Sequence, residues 1–267
     1  PRLAETLAAG LPVKLAELDA LIADGPKREA SHRLRLTVLR QLRRIDEGHR
    51  AVEAFAAACP TALDADLEHA TLDMLGGRPR EVLARLAPCL AEDTPDPARL
   101  AQLGLAYATL ANTEAVDQVL ARLDALPPTA DRLTITARLR LMMRQLEPAL
   151  DDFERSLSKG PDQPVVFAQI LKTLLTLGRA AEALDRFNAA PEALRTQADV
   201  IVRAAEAAKL TGQLDTAVQM MEAAAQPSNP EVIQYLTEIL CSDGRSDAAR
   251  ARLEGWTLAP VRCDWER

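Results

Sequence analysis

The chain has 267 residues, of which 48% are hydrophobic, only 3% aromatic and 27% charged. A core of Leu, Ala, Val and Ile, with enough charge to solvate two outer surfaces, fits a nearly all-helical protein. The net charge of −7, from 32 basic and 39 acidic residues, argues against a dedicated nucleic-acid binder, and no apolar run is long enough to span a membrane.

Residues 1–30 predict a degenerate helix pair that caps the rest of the chain. A short helix lies around Leu3 to Ala8; a second runs from Pro12 to Ala23 with Leu15, Leu18, Leu21 and Ile22 apolar, closed by Asp24-Gly25-Pro26. From His32 a helix carries the stripe Leu34, Val38, Leu42 and Ile45, turns at Asp46-Glu47-Gly48, and continues with Ala51 and Phe55. The next unit opens near Asp64, turns at Gly76-Gly77-Arg78-Pro79 and packs Val82 and Leu86. Then comes Leu103-Gly104-Leu105-Ala106-Tyr107, followed by a turn at Ala111-Asn112 and by Val116 and Leu120.

Beyond this the register is regular. The unit from about Ala130 has Arg144 where a turn glycine belongs, then Ala149 and Phe153, and ends at Gly160-Pro161. Val165 to Leu177 and Ala180 to Ala189 flank Gly178-Arg179; Ala198 to Leu210 and Leu214 to Ala225 flank Thr211-Gly212. Pro230 opens a last unit with its turn at Asp243-Gly244-Arg245 and with Ala249 and Leu253 inside. Gly178 and Gly212 are 34 residues apart, as are Ala149, Ala183 and Ala217 in turn, and Phe153, Phe187 and Met221. A period of 34 with a turn at its middle is that of a helix–turn–helix repeat, so residues 31–256 form one array of about seven units and residues 257–267 a tail or the start of another.

The Leu103-Gly104-x-x-Tyr107 segment, with the small and large residues behind it, resembles the tetratricopeptide repeat family. The resemblance implies an all-α, right-handed superhelical solenoid of stacked antiparallel helix pairs, whose first helices line a concave groove. It places the groove-facing side chains at the second, fifth, ninth, twelfth and thirteenth positions of each unit. Counted from His32 these are Arg33, Leu36, Arg40, Arg43 and Arg44, and the same positions further on include Arg138, Lys172, Glu206 and Glu238. The groove is then basic toward the N-terminal end and acidic toward the C-terminal end. This suits an extended partner segment held by complementary charge, or simply helices solvated by their charges. The asparagines Asn112, Asn188 and Asn229 miss the groove positions of the first helices, which disfavours both carboxylate-clamp and asparagine-ladder recognition.

Nothing points to catalysis or to a cofactor. The histidines His32, His49 and His69 read as surface or turn residues, and Asp151-Asp152 and Asp64/Asp66 as solvated helix faces. Cys59, Cys89, Cys241 and Cys263 form no CxxC pair, as expected of reduced thiols in a cytoplasmic protein. Cys59 and Cys89 take equivalent packing places near the ends of second helices. The expected function is non-enzymatic binding of a protein or peptide, with no membrane and no nucleic-acid partner. Two alternatives remain open. Cys263-Asp264-Trp265 is similar to the tripeptide at the repeat–catalytic junction of glycosyltransferases resembling O-GlcNAc transferase, implying a substrate-recruiting arm, although Trp265 also fits the fourth position of a further unit. Exposed repeat ends would suit a self-assembling, homo-oligomeric scaffold.

Overall fold

A computed structural model describes residues 14–25, 29–160, 162–224, 230–242 and 244–254, and among them there are helices and no strand. Leu3 to Ala8 and the Cys263-Asp264-Trp265 tripeptide lie outside the described residues. The chain divides into two compact units, residues 1–128 and 129–267.

The first unit holds α1 (residues 14–24), α2 (Glu29–Gln41), α3 (Ile45–Ala58), α4 (Ala65–Leu75), α5 (Pro79–Leu86), a 3-10 turn over Ala87–Ala91, α6 (Pro97–Thr109) and α7 (Thr113–Ala125). The second holds α8 (Ala130–Met142), α9 (Leu146–Lys159), α10 (Pro164–Thr176), α11 (Ala180–Ala189), the short α12 (Glu192–Arg195), α13 (Ala198–Leu210), α14 (Leu214–Ala224), α15 (Pro230–Ser242) and α16 (Ser246–Glu254). Within each unit, successive pairs, α2/α3 to α6/α7 and α8/α9 to α15/α16, are antiparallel hairpins whose members pack on each other and on the next pair of the same unit. The all-α repeat expected from the period is therefore the fold.

One residue per hairpin sets the register. Arg43, Gly77, Ala111, Arg144, Gly178, Gly212 and Gly244 all have φ between 54° and 78°. In every turn two backbone bonds close the first helix, as where Gly178 N–H donates to the Leu175 carbonyl (3.0 Å) and Arg179 N–H to that of Leu174 (2.9 Å). This is the Schellman pattern, which satisfies the last carbonyls of a helix. Five positions after the left-handed residue a small side chain is buried (Ala149, Ala183, Ala217). Nine after it a large one is (Phe153, Phe187, Met221), each Phe contributing about 3–5 kcal/mol relative to Ala.

The same count corrects the first hairpin. Its turn lies at Leu42-Arg43-Arg44, not at Asp46-Glu47-Gly48, because Arg43 adopts the left-handed conformation without being glycine. Gly48 is inside α3 as the small residue, and a Cβ there would meet Leu72 Cδ2 at 2.6 Å. Val52 takes the large position expected of Phe55, although Ala51 and Phe55 are buried as well. The stripe shifts accordingly: Leu36, placed in the groove from sequence, is 2% exposed, and Leu34, placed in the core, is 50% exposed. Cys89 is then the counterpart of Phe55 rather than of Cys59; it is buried, and burial raises its thiol pKa.

Candidate functional site

In residues 129–267 the first helices α8, α10, α13 and α15 present Arg138, Lys172, Glu206 and Glu238, each six residues before its left-handed turn residue. Equal offsets from the turn give the four side chains one position on four equivalent helices, and α13 packs against both α10 and α15. Arg138, Lys172 and Glu238 are exposed and Glu206 half-buried. Arg138 and Lys172 pair with no other described residue. Glu206 accepts from Arg203 Nη1 (3.0 Å), and Glu238 accepts from Gln234 Nε2 (3.0 Å).

The acidic end has an internal reporter. The Tyr235 phenol is pushed up to about 12 by burial first and then by Glu206 and Glu238, against the opposing pull of Arg203. Tyr235 and Lys209, which sits three residues before Gly212, were missed at the sequence level. Lys209 was legible there, since it holds the same twelfth position as Arg40 once units are counted from their turns. Around the charges Met142, Val165 and Leu210 are exposed apolar side chains at groove-type positions.

In residues 1–128 the predicted arginines are placed differently. Arg33 and Arg40 lie on α2, but Arg44 sits in the turn, off the first helix. Each has a carboxylate within the unit: Arg33 with Glu29 (2.7 Å), Arg40 with Glu68 (3.1 Å) and Arg44 with Glu47 (2.6 Å). Arg33 also donates to the Ala62 carbonyl and lies over the Phe55 ring (5.7 Å). Arg44 belongs with the turn arginines, three of which reach the preceding second helix: Arg78 to Asp46 (3.2 Å), Arg179 to Glu147 (3.2 Å) and Arg245 to Asp215 (2.7 Å).

The polar residues read as solvated include buried ones. His32 is buried and stacks on Phe55 (5.0 Å between centroids), and His49 stacks on His69 (4.9 Å). Asp152 is 0% exposed and accepts from Arg140 and from Arg155 Nη1 (3.2 Å). Asp64 caps α4 by accepting from Leu67 N–H (3.1 Å) and binds Arg99 through two bonds of 2.6 and 3.0 Å. Among the described residues no group of three His, Cys, Asp or Glu side chains could hold a metal ion, and no helix is long and apolar enough to cross a membrane.

No protein-family model matches the chain, and no curated protein is significantly similar to it. Solved structures do match. A tetratricopeptide repeat protein from Parabacteroides merdae is 17% identical over 86% of this chain and 92% of its own, with a TM-score of 0.53. Pseudomonas aeruginosa PilF is 16% identical over 72% and 89% of the two chains, with a TM-score of 0.54. The Cut9–Hcn1 hetero-tetramer of APC/C contains a chain 13% identical over 86% of this one and 46% of its own, at a TM-score of 0.53. At these identities the likeness fixes the fold: stacked helix hairpins of the tetratricopeptide repeat type.

Proposed function

We propose that the chain is a non-enzymatic protein-recognition scaffold that holds an extended partner segment against the first-helix face of residues 129–267. The observation that carries this is the change of sign along one position, from Arg138 and Lys172 to Glu206 and Glu238. Packed helices lie about 8–10 Å apart and an extended chain advances about 3.3 Å per residue, so charges on a partner that match those of α10, α13 and α15 fall about three residues apart. Acidic residues would face α8 and α10, basic ones α13 and α15, with Met142, Val165 and Leu210 supplying apolar contact. Charge complementarity then sets register and on-rate, and apolar burial most of the affinity. Within residues 1–128, Arg33 and Arg40 offer a separate basic face on α2, a weaker one because each already has a carboxylate, and Arg44, in the turn, does not belong to it. The occurrence of this fold in an assembly such as Cut9–Hcn1 supports the general role.

The test is selection from a displayed library of random extended peptides, followed by affinity measurement at two salt concentrations. Binders should carry acidic residues toward one end and basic residues toward the other. An Arg138→Glu, Lys172→Glu variant should weaken them by at least about tenfold, some 1.4 kcal/mol. Binders without the charge pattern, or indifferent to the double reversal, would overturn the reading.

A further inference from the structure

One inter-hairpin contact in residues 1–128 is built from titratable groups where the equivalent positions of α10, α13 and α15 are apolar. His69 and Asp73 stand eight and four residues before Gly77 on α4. The same two positions are Ile170 and Leu174 on α10, Ala204 and Ala208 on α13, and Leu236 and Leu240 on α15, all buried. His49 stands six residues after Arg43 on α3, where Leu150, Leu184 and Val218 stand buried in three later hairpins and the exposed Asp117 in α7. The side chains meet across the α3–α4 contact: His49 Nδ1 is 2.6 Å from His69 Nδ1, and His49 Nε2 is 3.0 Å from the Asp73 carboxylate, which is buried.

We propose that this Asp73–His49–His69 chain is a proton-operated joint, closed when the imidazole pair is neutral or singly protonated and opened by a second proton. The hydrogen positions follow from the distances. His49 Nε2–H donates to Asp73, which leaves His49 Nδ1 as an acceptor for His69 Nδ1–H. One added proton goes to the outer nitrogen of His69 and leaves both bonds intact. A second proton on the imidazole pair has only His49 Nδ1 to go to, and two N–H groups cannot face each other at 2.6 Å. The hairpins α2/α3 and α4/α5 must then separate locally, which misaligns Arg33 and Arg40 on α2 with the face of α4.

The surroundings act in the same direction. His69 has its pKa lowered from the ordinary 6.5, by burial first, then by Arg85 and His49, while Glu53 and Asp73 oppose. Arg85 of α5 is itself held by Asp66 of α4 (3.3 Å). The nearby pairs Arg40–Glu68, from α2 to α4, and Arg99–Asp64, from α6 to the α4 cap, are already neutralised. A histidine with a lowered folded pKa makes the unfolded state the better proton binder. Its stabilisation is full above the unfolded value of 6.5 and is lost as the pH falls below it.

Hydrogen exchange of the full chain tests the joint, with rates corrected for intrinsic pH dependence and α10 and α13 as internal references. From about pH 7.5 to about pH 5.5, protection in α3 and α4 should fall at least about tenfold more than in the references. In His69→Gln, whose amide still donates to His49 but cannot titrate, that excess should vanish. A flat wild-type response, or an equal loss in the variant, overturns the proposal. If His69→Gln fails to fold, imidazole nitrogen NMR of the wild type decides. Two imidazolium rings with unchanged α3 and α4 amide signals overturn the proposal; loss of those signals with the second protonation supports it.

Discussion

The left-handed turn residue is where single side chains decide most. Glycine adopts that conformation freely, whereas an L-residue is held there at about 1–2 kcal/mol. Three of the seven turns found among the described residues bear that cost, at Arg43, Ala111 and Arg144. Ala111→Gly and Arg144→Gly should therefore stabilise the chain by about 0.5–1 kcal/mol each, after the extra flexibility glycine gives the unfolded state. Arg43→Gly should gain less, because Arg43 Nη2 donates to the Leu75 carbonyl (2.8 Å), the last carbonyl of α4. Urea midpoints of the three variants check this, and a destabilised Ala111→Gly would contradict it. The non-glycine turns also explain what was hard to read from sequence. Gly178 and Gly212 mark their turns plainly, but at the first hairpin the nearest glycine, Gly48, is a packing residue, and taking it for the turn displaced the whole unit.

Among the elements, α8/α9 departs most from the repeat. At twelve, eight and four residues before its turn α8 has Arg132, Thr136 and Arg140, where α10 has Val166, Ile170 and Leu174. The polar groups are satisfied inside the hairpin: Arg140 donates to Asp152, Thr136 Oγ1 to the Arg132 carbonyl (2.9 Å), and Ser156 Oγ to the Ala130 carbonyl (2.9 Å). Removing one partner of a buried pair strands the other charge, so Asp152→Ala should cost about 3–5 kcal/mol of unfolding free energy. A loss below about 1 kcal/mol in urea titration would show the pair to be dispensable. The helical period told that Asp151 and Asp152 point 100° apart. It could not tell which one faces inward, since that depends on an arginine twelve residues upstream. The histidine cluster is hidden from the sequence for the same reason: His69 and Asp73 share a face of α4 at a spacing of four, but His49 joins them only through the stacking of hairpins.

Across the whole molecule, stability in a repeat array is a sum of units and nearest-neighbour contacts, so damage stays local. The two described cores follow this pattern, one running from Leu15 to Leu72 and the other from Ala137 to Ala249. Asp64 offers a clean probe, because it caps α4 and holds Arg99 of α6, both within residues 1–128. Its hydrogen bond from Arg99 keeps the carboxyl below its ordinary 3.8, against the opposing effect of burial. Asp64→Ala should cost about 1–2 kcal/mol, mostly the lost cap, since the ion pair is partly exposed. A lowered folded pKa means that the charge-dependent part of this loss is full above 3.8 and disappears as the pH falls through the folded value. Hydrogen exchange should then show faster opening of α4 and α6 at neutral pH, with α10 and α13 changed by less than about threefold. Equal acceleration in all four helices would mean that the array unfolds as one cooperative body, and that independence between distant hairpins is wrong for this chain.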